Sequence, residues 1–353
     1  MKLKILLCLS AGLVLSTGCK NRSTGFLNQF QKPSVPTKAV DSLDLTRYGI
    51  LMPKHIFKHN GIFIIEKMDE NNALDVCDFS SGEIIHCFKK GRGPGEMLFS
   101  NSPQLIDSLL YIYDIDLQNY FELNICKTIR TGMQSSSLIS SYSSGANDKK
   151  SICMPTGICK AGNNIIATGF FTPGKWYVEM TNEGKVTNGI DYYSPEEFKG
   201  WTDEALSAFH INSNMSVSPD GHKIICALMF AGAFSLSNVS DKLEEYERVI
   251  FDKSEAKEMS GKNAPAVKYG EKSKVTFCDL QSDNEKIYVL YSGKKLGSFD
   301  PYESDHLLVI DWKGHPVKGY HLSRRINSFF VEGNTLYGTS TYPESKLFTF
   351  KLN

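Results

Sequence analysis

Apolar and polar residues alternate at every second position in pairs of short runs joined by a turn, the signature of half-buried antiparallel hairpins. Ala73–Phe79 and Glu83–Phe88 flank the turn Ser80-Ser81-Gly82. Trp176–Met180 and Lys185-Val186 flank Thr181–Gly184, and Leu307–Asp311 and His315–Val317 flank Trp312-Lys313-Gly314. Less regular copies lie at Tyr120–Ile129 and Ala233–Val249. Six short apolar runs stand as leaders along the chain: Ile62–Glu66, Leu109–Tyr113, Asn164–Gly169, His222–Leu228, Lys286–Tyr291 and Thr335–Thr339.

Six leaders spread over the chain give units of roughly 50 residues, the size of a four-stranded propeller blade. The pattern therefore predicts an all-β fold, a β-propeller of six four-stranded blades. The last unit, Ile326–Leu352, supplies three strands, so an N-terminal strand near Ala39–Arg47 is expected to close the last blade. Two stretches interrupt the rhythm and are expected as long exposed loops, the Ser-rich Thr131–Ser151 and the polar Asp252–Lys274. Ser194-Pro195-Glu196-Glu197, leading into Phe198–Phe209, predicts a short inserted helix interrupted near Gly200.

The N-terminus follows another pattern. Lys2 and Lys4 precede an apolar run from Ile5 to Leu15, the length of a signal-peptide core and too short to span a bilayer. The run ends Leu15-Ser16-Thr17-Gly18-Cys19, which resembles the lipobox of bacterial lipoproteins, with leucine one place earlier than in most. The expected organisation is a signal peptide at 1–18, lipid attachment at Cys19, a flexible tether at 19–38 and a propeller at 39–353. The missing acidic run after Cys19 implies, by the habit of such lipoproteins, a periplasm-facing anchor in the cell envelope.

Composition narrows the function. The 353 residues carry 39 Lys plus Arg against 39 Asp plus Glu, with no long run of one sign, which argues against a nucleic-acid groove or a polybasic membrane patch. Tyr and Phe, at 16 and 21, far outnumber the 3 Trp, as suits many strands. Of nine Cys, Cys8 and Cys19 belong to the leader, and the remaining seven show no Cys-x-x-Cys metal pair.

Two stretches carry a family resemblance. Gly91-Arg92-Gly93-Pro94-Gly95-Glu96, followed by Phe99, Pro103, Leu109–Asp114 and Asn119, resembles the repeat of NHL propellers. Ser218-Pro219-Asp220-Gly221 is similar to a turn of TolB-type blades. With the lipobox, the chain from about Ala39 to its end resembles the TolB-like six-bladed propeller lipoproteins of gut anaerobes, a family with little assigned function.

Candidate chemistry is sparse. The glycine-rich hexapeptide offers backbone amides and Arg92 to an anion, so Arg92 and Glu96 are the candidate ligand-binding residues; the competing reading is an inter-blade turn. Asp114-Ile115-Asp116 lacks the glycine and the final acid of a calcium loop and reads as a strand-end turn. His55 and His59 lack the glutamate of a zincin helix. Cys77 and Cys87 would face each other, and bridge, if their hairpin turned about Gly82. Ser254–Lys257 and Ser292–Lys295 match Ser-x-x-Lys without its companion motifs.

No metal site or cofactor is expected, and no catalytic residue is identified. The expectation is a monomeric, lipid-anchored binding or scaffolding module whose partner is an envelope protein, a peptide or a glycan. The alternative is a propeller hydrolase or lyase acting on a sugar or lactone, with a metal held in the channel.

Overall fold

The computed structural model describes residues 25–30, 35–142, 153–194, 196–259 and 266–353. Six four-stranded antiparallel sheets follow one another along the chain. Blade 1 is Pro53–His59, Ile62–Lys67, Asn72–Asp78 and Glu83–Lys89. Blade 2 is Ser100–Ile106, Leu109–Asp114, Asn119–Asn124 and Ser136–Ser141. Blade 3 is Cys153–Ala161, Asn164–Phe171, Tyr177–Met180 and Val186–Ile190. Blade 4 is Ser213–Val217, Lys223–Leu228, Gly232–Asn238 and Glu244–Asp252. Blade 5 is Lys274–Ser282, Lys286–Lys295, Ser304–Asp311 and Pro316–Ile326.

Blade 6 takes Ser328–Glu332, Thr335–Ser340 and Lys346–Lys351 from the C-terminus and its outer strand, Ala39–Asp44, from near the N-terminus. Ser42 faces Phe348 and Leu43 faces Leu347 across this seam. The ring thus closes through hydrogen bonds between distant parts of the chain, and the expected six-bladed fold with its shared last blade is the one observed. Each of the six leaders is the second strand of a blade.

Strand alternation explains the packing. Successive side chains point to opposite faces of a sheet, and both faces of a blade meet a neighbour. Six buried apolar clusters accordingly fill the six junctions. Leu74, Cys87, Leu110 and Phe121 lie between blades 1 and 2, Tyr113, Ile158 and Val178 between 2 and 3, and Trp176, Ile224 and Cys226 between 3 and 4. Phe234, Phe277 and Ile310 join 4 to 5, Leu307, Tyr320 and Phe350 join 5 to 6, and Leu347, Ile56 and Cys77 join 6 to 1.

This division sets the two candidate disulfide cysteines apart. The hairpin register sets Cys77 opposite Ile84 and Cys87 opposite Leu74, and the two thiols enter clusters on opposite faces of blade 1. Both are free and buried, and burial pushes the Cys87 thiol up to about 12.

Three segments depart from expectation. Part of the tether is docked: Phe26 and Phe30 are buried in the junction of blades 4 and 5, and Val35–Thr37 runs parallel to Tyr320–Leu322 as a fifth strand of blade 5. The Ser-rich loop contains the outer strand of blade 2, preceded by a helix at Ile125–Thr131 that Asn124 caps and Gly132 ends in a left-handed conformation. The polar stretch after blade 4 contains a hairpin, Ala256–Met259 with Ala266–Tyr269. The inserted helix divides at Gly200 into a short turn at Glu196–Phe198 and a helix at Asp203–His210 capped by Thr202. Cys19 and the signal peptide lie outside the described residues.

Gly221, in the Ser-Pro-Asp-Gly turn, has φ +74°, and a Cβ there would stand 2.6 Å from the Gly162 nitrogen of blade 3. Gly333 also has positive φ, +57°, but open space around it. Gly333→Ala is expected to cost about 1 kcal/mol from its backbone alone. Gly221→Ala is expected to cost about 3 kcal/mol, because two backbones must separate as well. Urea midpoints of the two variants check this; equal losses would remove the backbone approach as a constraint.

Candidate functional site

The inner strands of the six blades surround a central cavity of about 710 Å³. Each has a hydrogen-bonded partner on one side only, so its other edge turns backbone N–H and C=O groups toward the cavity and the next blade. Side-chain amides satisfy many of them. Lys160 N–H donates to Gln104 Oε1 at 2.8 Å while Gln104 Nε2 donates to Lys160 O at 2.9 Å, joining blade 2 to blade 3. Gln281 joins blade 5 to blade 6 likewise, accepting from Val331 N–H at 2.6 Å and donating to Val331 O at 3.3 Å. The two glutamines occupy the same register, opposite Tyr111 and Tyr288.

The other junctions are bridged without such a two-way clamp. Asn214 Nδ2 donates to Phe277 O at 2.9 Å, Asn327 Nδ2 to Pro53 O at 2.6 Å, and Trp176 Nε1 to Ser213 Oγ at 2.9 Å. Lys54 Nζ reaches Ser100 O at 2.8 Å.

Titratable groups gather on the first two strands of blade 1. His55 and His59 both line the cavity, since residues of an inner strand two apart share a side. Glu66, fully buried, sits 2.5 Å from His55 Nδ1 and 3.2 Å from Lys54 Nζ. Burial alone would raise its carboxyl, but the Lys54 and His55 charges, with bonds from His55 and Ser100, bring it down to about 2. Asp279 lies across the cavity wall and accepts from Ser328 Oγ at 2.7 Å and Phe329 N–H at 3.0 Å. Burial holds its carboxyl above the usual range, against the pull of the His55 charge and of those bonds.

One rim of the ring carries most of the exposed large apolar side chains. Inner strands begin, and second strands end, on the same face of a propeller, so the loops there share a surface. Among the described residues, nine exposed large apolar side chains lie on that face: Leu51, Met52, Met68, Phe99, Met154, Met259, Phe299, Tyr302 and Tyr342. Phe299 and Tyr342 are 65% and 53% exposed and meet edge to face at 4.7 Å. The other large exposed apolar residues are scattered on outer strands and after the helix of blade 2.

The glycine-rich hexapeptide forms the link between blades 1 and 2, outside the cavity lining. Glu96 folds back into it and accepts from Gly93 N–H at 2.7 Å, and its carboxylate fills the space beside Gly91, where a Cβ would collide with it. Arg92 is exposed. The loop therefore already cradles an anion of its own. Asp114 pins its exit, accepting from Leu98 N–H at 2.7 Å and Phe99 N–H at 3.3 Å, and also from Asp116 and Leu117 as a strand-end turn.

Among the described residues, no three metal donors converge on the axis. Among the described residues, a single group brings three His, Cys, Asp or Glu donors within 4.8 Å of one another: Asp305, His306 and His321, on blade 5 and away from the cavity. Sequence reasoning missed it because the histidines, 15 positions apart, become neighbours only through the register of a hairpin.

A family model described as TolB-like 6-blade propeller-like matches residues 29–334. No curated protein matches the sequence. Among solved structures, a member of the DUF4221 family from Bacteroides vulgatus is similar at TM-score 0.53 and 10% identity, over 90% of this chain and 98% of that one. Regucalcin, a calcium-binding protein from Agrobacterium tumefaciens, is similar at TM-score 0.50 and 13% identity, over 91% and 97%. The extracellular domain of a hybrid two component system from B. thetaiotaomicron gives TM-score 0.44 at 13% identity over 85% of this chain, which spans only 33% of that one. At these identities the likeness is one of fold.

Unfolding releases Glu66 from its partners, so its stabilising contribution is complete above the ordinary glutamate value of 4.5 and lost as pH falls toward 2. Glu66→Gln is expected to cost about 3 kcal/mol at neutral pH, by leaving Lys54 and His55 without their buried anion. It is also expected to flatten the fall in stability between pH 5 and 2. Urea midpoints across that range check this; an unchanged slope in the variant would show that Glu66 does not couple to folding.

Proposed function

The chain belongs to the TolB-like 6-blade propeller-like family, and from that premise we propose that it is an exported, lipid-anchored binding module. In this reading residues 1–18 are a signal peptide, Cys19 carries the lipid, and the propeller faces the periplasm as a monomer. The partner is an envelope protein, a peptide or a glycan, received on the loop face.

One observation carries the proposal, the concentration of exposed large apolar side chains on that face. Soluble surfaces scatter such residues singly, whereas a patch held by paired aromatics such as Phe299 and Tyr342 marks an interaction surface. Arg92 and Glu96 serve this reading at a distance: their loop leads directly to Phe99 at the rim.

A second reading, a hydrolase or lyase acting on a sugar or lactone, draws on the cavity. His55 backed by Glu66, facing a wall that holds Asp279 above its usual range, is the kind of pairing that performs general acid and base catalysis. Its metal-assisted form has no three-donor set on the axis among the described residues.

Affinity purification from detergent-solubilised envelopes separates the readings. The wild-type chain is expected to retain a partner that the double variant Phe299→Ser, Tyr342→Ser releases, and failure to retain any partner across salt conditions would count against the binding module. Turnover of sugar lactones or glycosides that falls at least about a hundredfold in His55→Ala would establish the second reading instead, and absence of turnover in the wild type would dismiss it.

A further inference from the structure

We propose that Asp305, His306 and His321 form a divalent-metal site of the zinc class on blade 5, independent of the central cavity. His306 and His321 are direct cross-strand partners on the third and fourth strands of the blade. Directly opposed residues in an antiparallel pair share one face, which brings the two rings together at 5.1 Å between centroids. The register shifts between Ser304 and His306, where the fourth strand takes the longer path, and Asp305 lies between the two paired positions of the third strand.

The spacing is that of a coordination shell. The two Nδ1 atoms are 3.4 Å apart. Ligands bound to zinc at about 2.0–2.1 Å in a tetrahedron stand about 3.3 Å from one another, so the two imidazole nitrogens already have the separation that a shared ion requires. Asp305 Oδ1 lies 2.7 Å from His306 Nδ1, a hydrogen-bond distance. It would exchange that proton for the metal by opening about half an ångström. Both histidines are exposed and Asp305 is half-buried, leaving the fourth position to water.

Neighbouring cations hydrogen-bond to backbone carbonyls. Lys294 Nζ donates to Glu303 O at 2.8 Å, and Arg325 donates to Asp300 O at 2.7 Å, so both tie down the turn before Asp305. The Asp305 carboxylate remains the anion of the cluster, paired with His306. Two imidazoles and one carboxylate select a borderline ion such as zinc over calcium or magnesium, which prefer shells of oxygen.

The site also touches the docked N-terminal segment, since Pro36 is the parallel partner of His321. An ion there would stiffen the strand on which residues 35–37 rest.

Equilibrium dialysis of the full, metal-stripped chain against Zn²⁺ tests the proposal, with melting temperature as a second readout. The wild type is expected to bind one Zn²⁺ at this site and to melt higher with it, because a ligand for the native state stabilises it. His321→Ala and His306→Ala, both at exposed positions, are expected to lose affinity at least about tenfold and to lose the melting shift. Cys126 Sγ lies 3.7 Å from His59 Nε2 and is the competing soft donor pair. Zinc that survives His321→Ala but is lost in Cys126→Ser overturns the proposal, as does a wild-type chain that binds no zinc or prefers Ca²⁺.

Discussion

The inner strand of a blade has a sheet neighbour on one side only, and its free edge must be satisfied without a seventh strand to fill the centre. Gln104 and Gln281 solve this by imitation. Each presents one acceptor and one donor to a single residue of the next blade, reproducing a rung of β-ladder with a side chain. An amide left unpaired there would cost about 1–3 kcal/mol, so the polar inner ring has a stabilising role. It also fixes how far apart neighbouring inner strands stand, and hence the width of the cavity.

The outer parts of the junctions are apolar and tolerant; the inner parts are polar and directional. Packing between blades selects residues by size and hydrophobicity, which many sequences satisfy. The polar ring demands particular groups at particular heights. Asp279 shows the cost of that demand: its carboxylate is held among Ser328 Oγ and the Phe329 and Leu280 amides, yet burial still raises it. Glu66 escapes the same penalty because the Lys54 ammonium stands 3.2 Å from it, with His55 beside it.

The sequence was legible where burial alternates. In blade 1, Ile64 and Val76 enter the junction with blade 2 while Ile65 and Cys77 enter the junction with blade 6, a period of two that the apolar runs show directly. The inner strands were not legible for the converse reason. From Asn101 to Ile106 and from Ser213 to Val217 every residue is half-buried, so no period exists to read. The outer strand of blade 2, Ser136–Ser141, has the look of a loop in sequence because it is Ser-rich and mostly solvated. Phe26 and Phe30 show the opposite failure: two aromatics in a polar segment dock into blades 4 and 5 without any local pattern. Site residues were the least legible. His306 and His321 meet only through hairpin register, and the loop around Arg92 looked like a ligand cradle because the position of the Glu96 side chain is a tertiary fact.

The glycine-rich loop also shows how a repeat motif is built. Its glycines make room for Glu96, Glu96 holds the Gly93 amide, and Asp114 at the end of the next blade's second strand holds the amides of Leu98 and Phe99. The residues that carry the family resemblance thus fasten one blade to the next. Chemistry that distinguishes this chain must then lie outside the motif. It lies in the side chains the motif leaves free, the apolar rim that begins at Phe99 and the groups that project into the cavity between the amide clamps. A fold whose glycine-rich turn is structural leaves its rim and lining free to carry the ligand chemistry without disturbing closure.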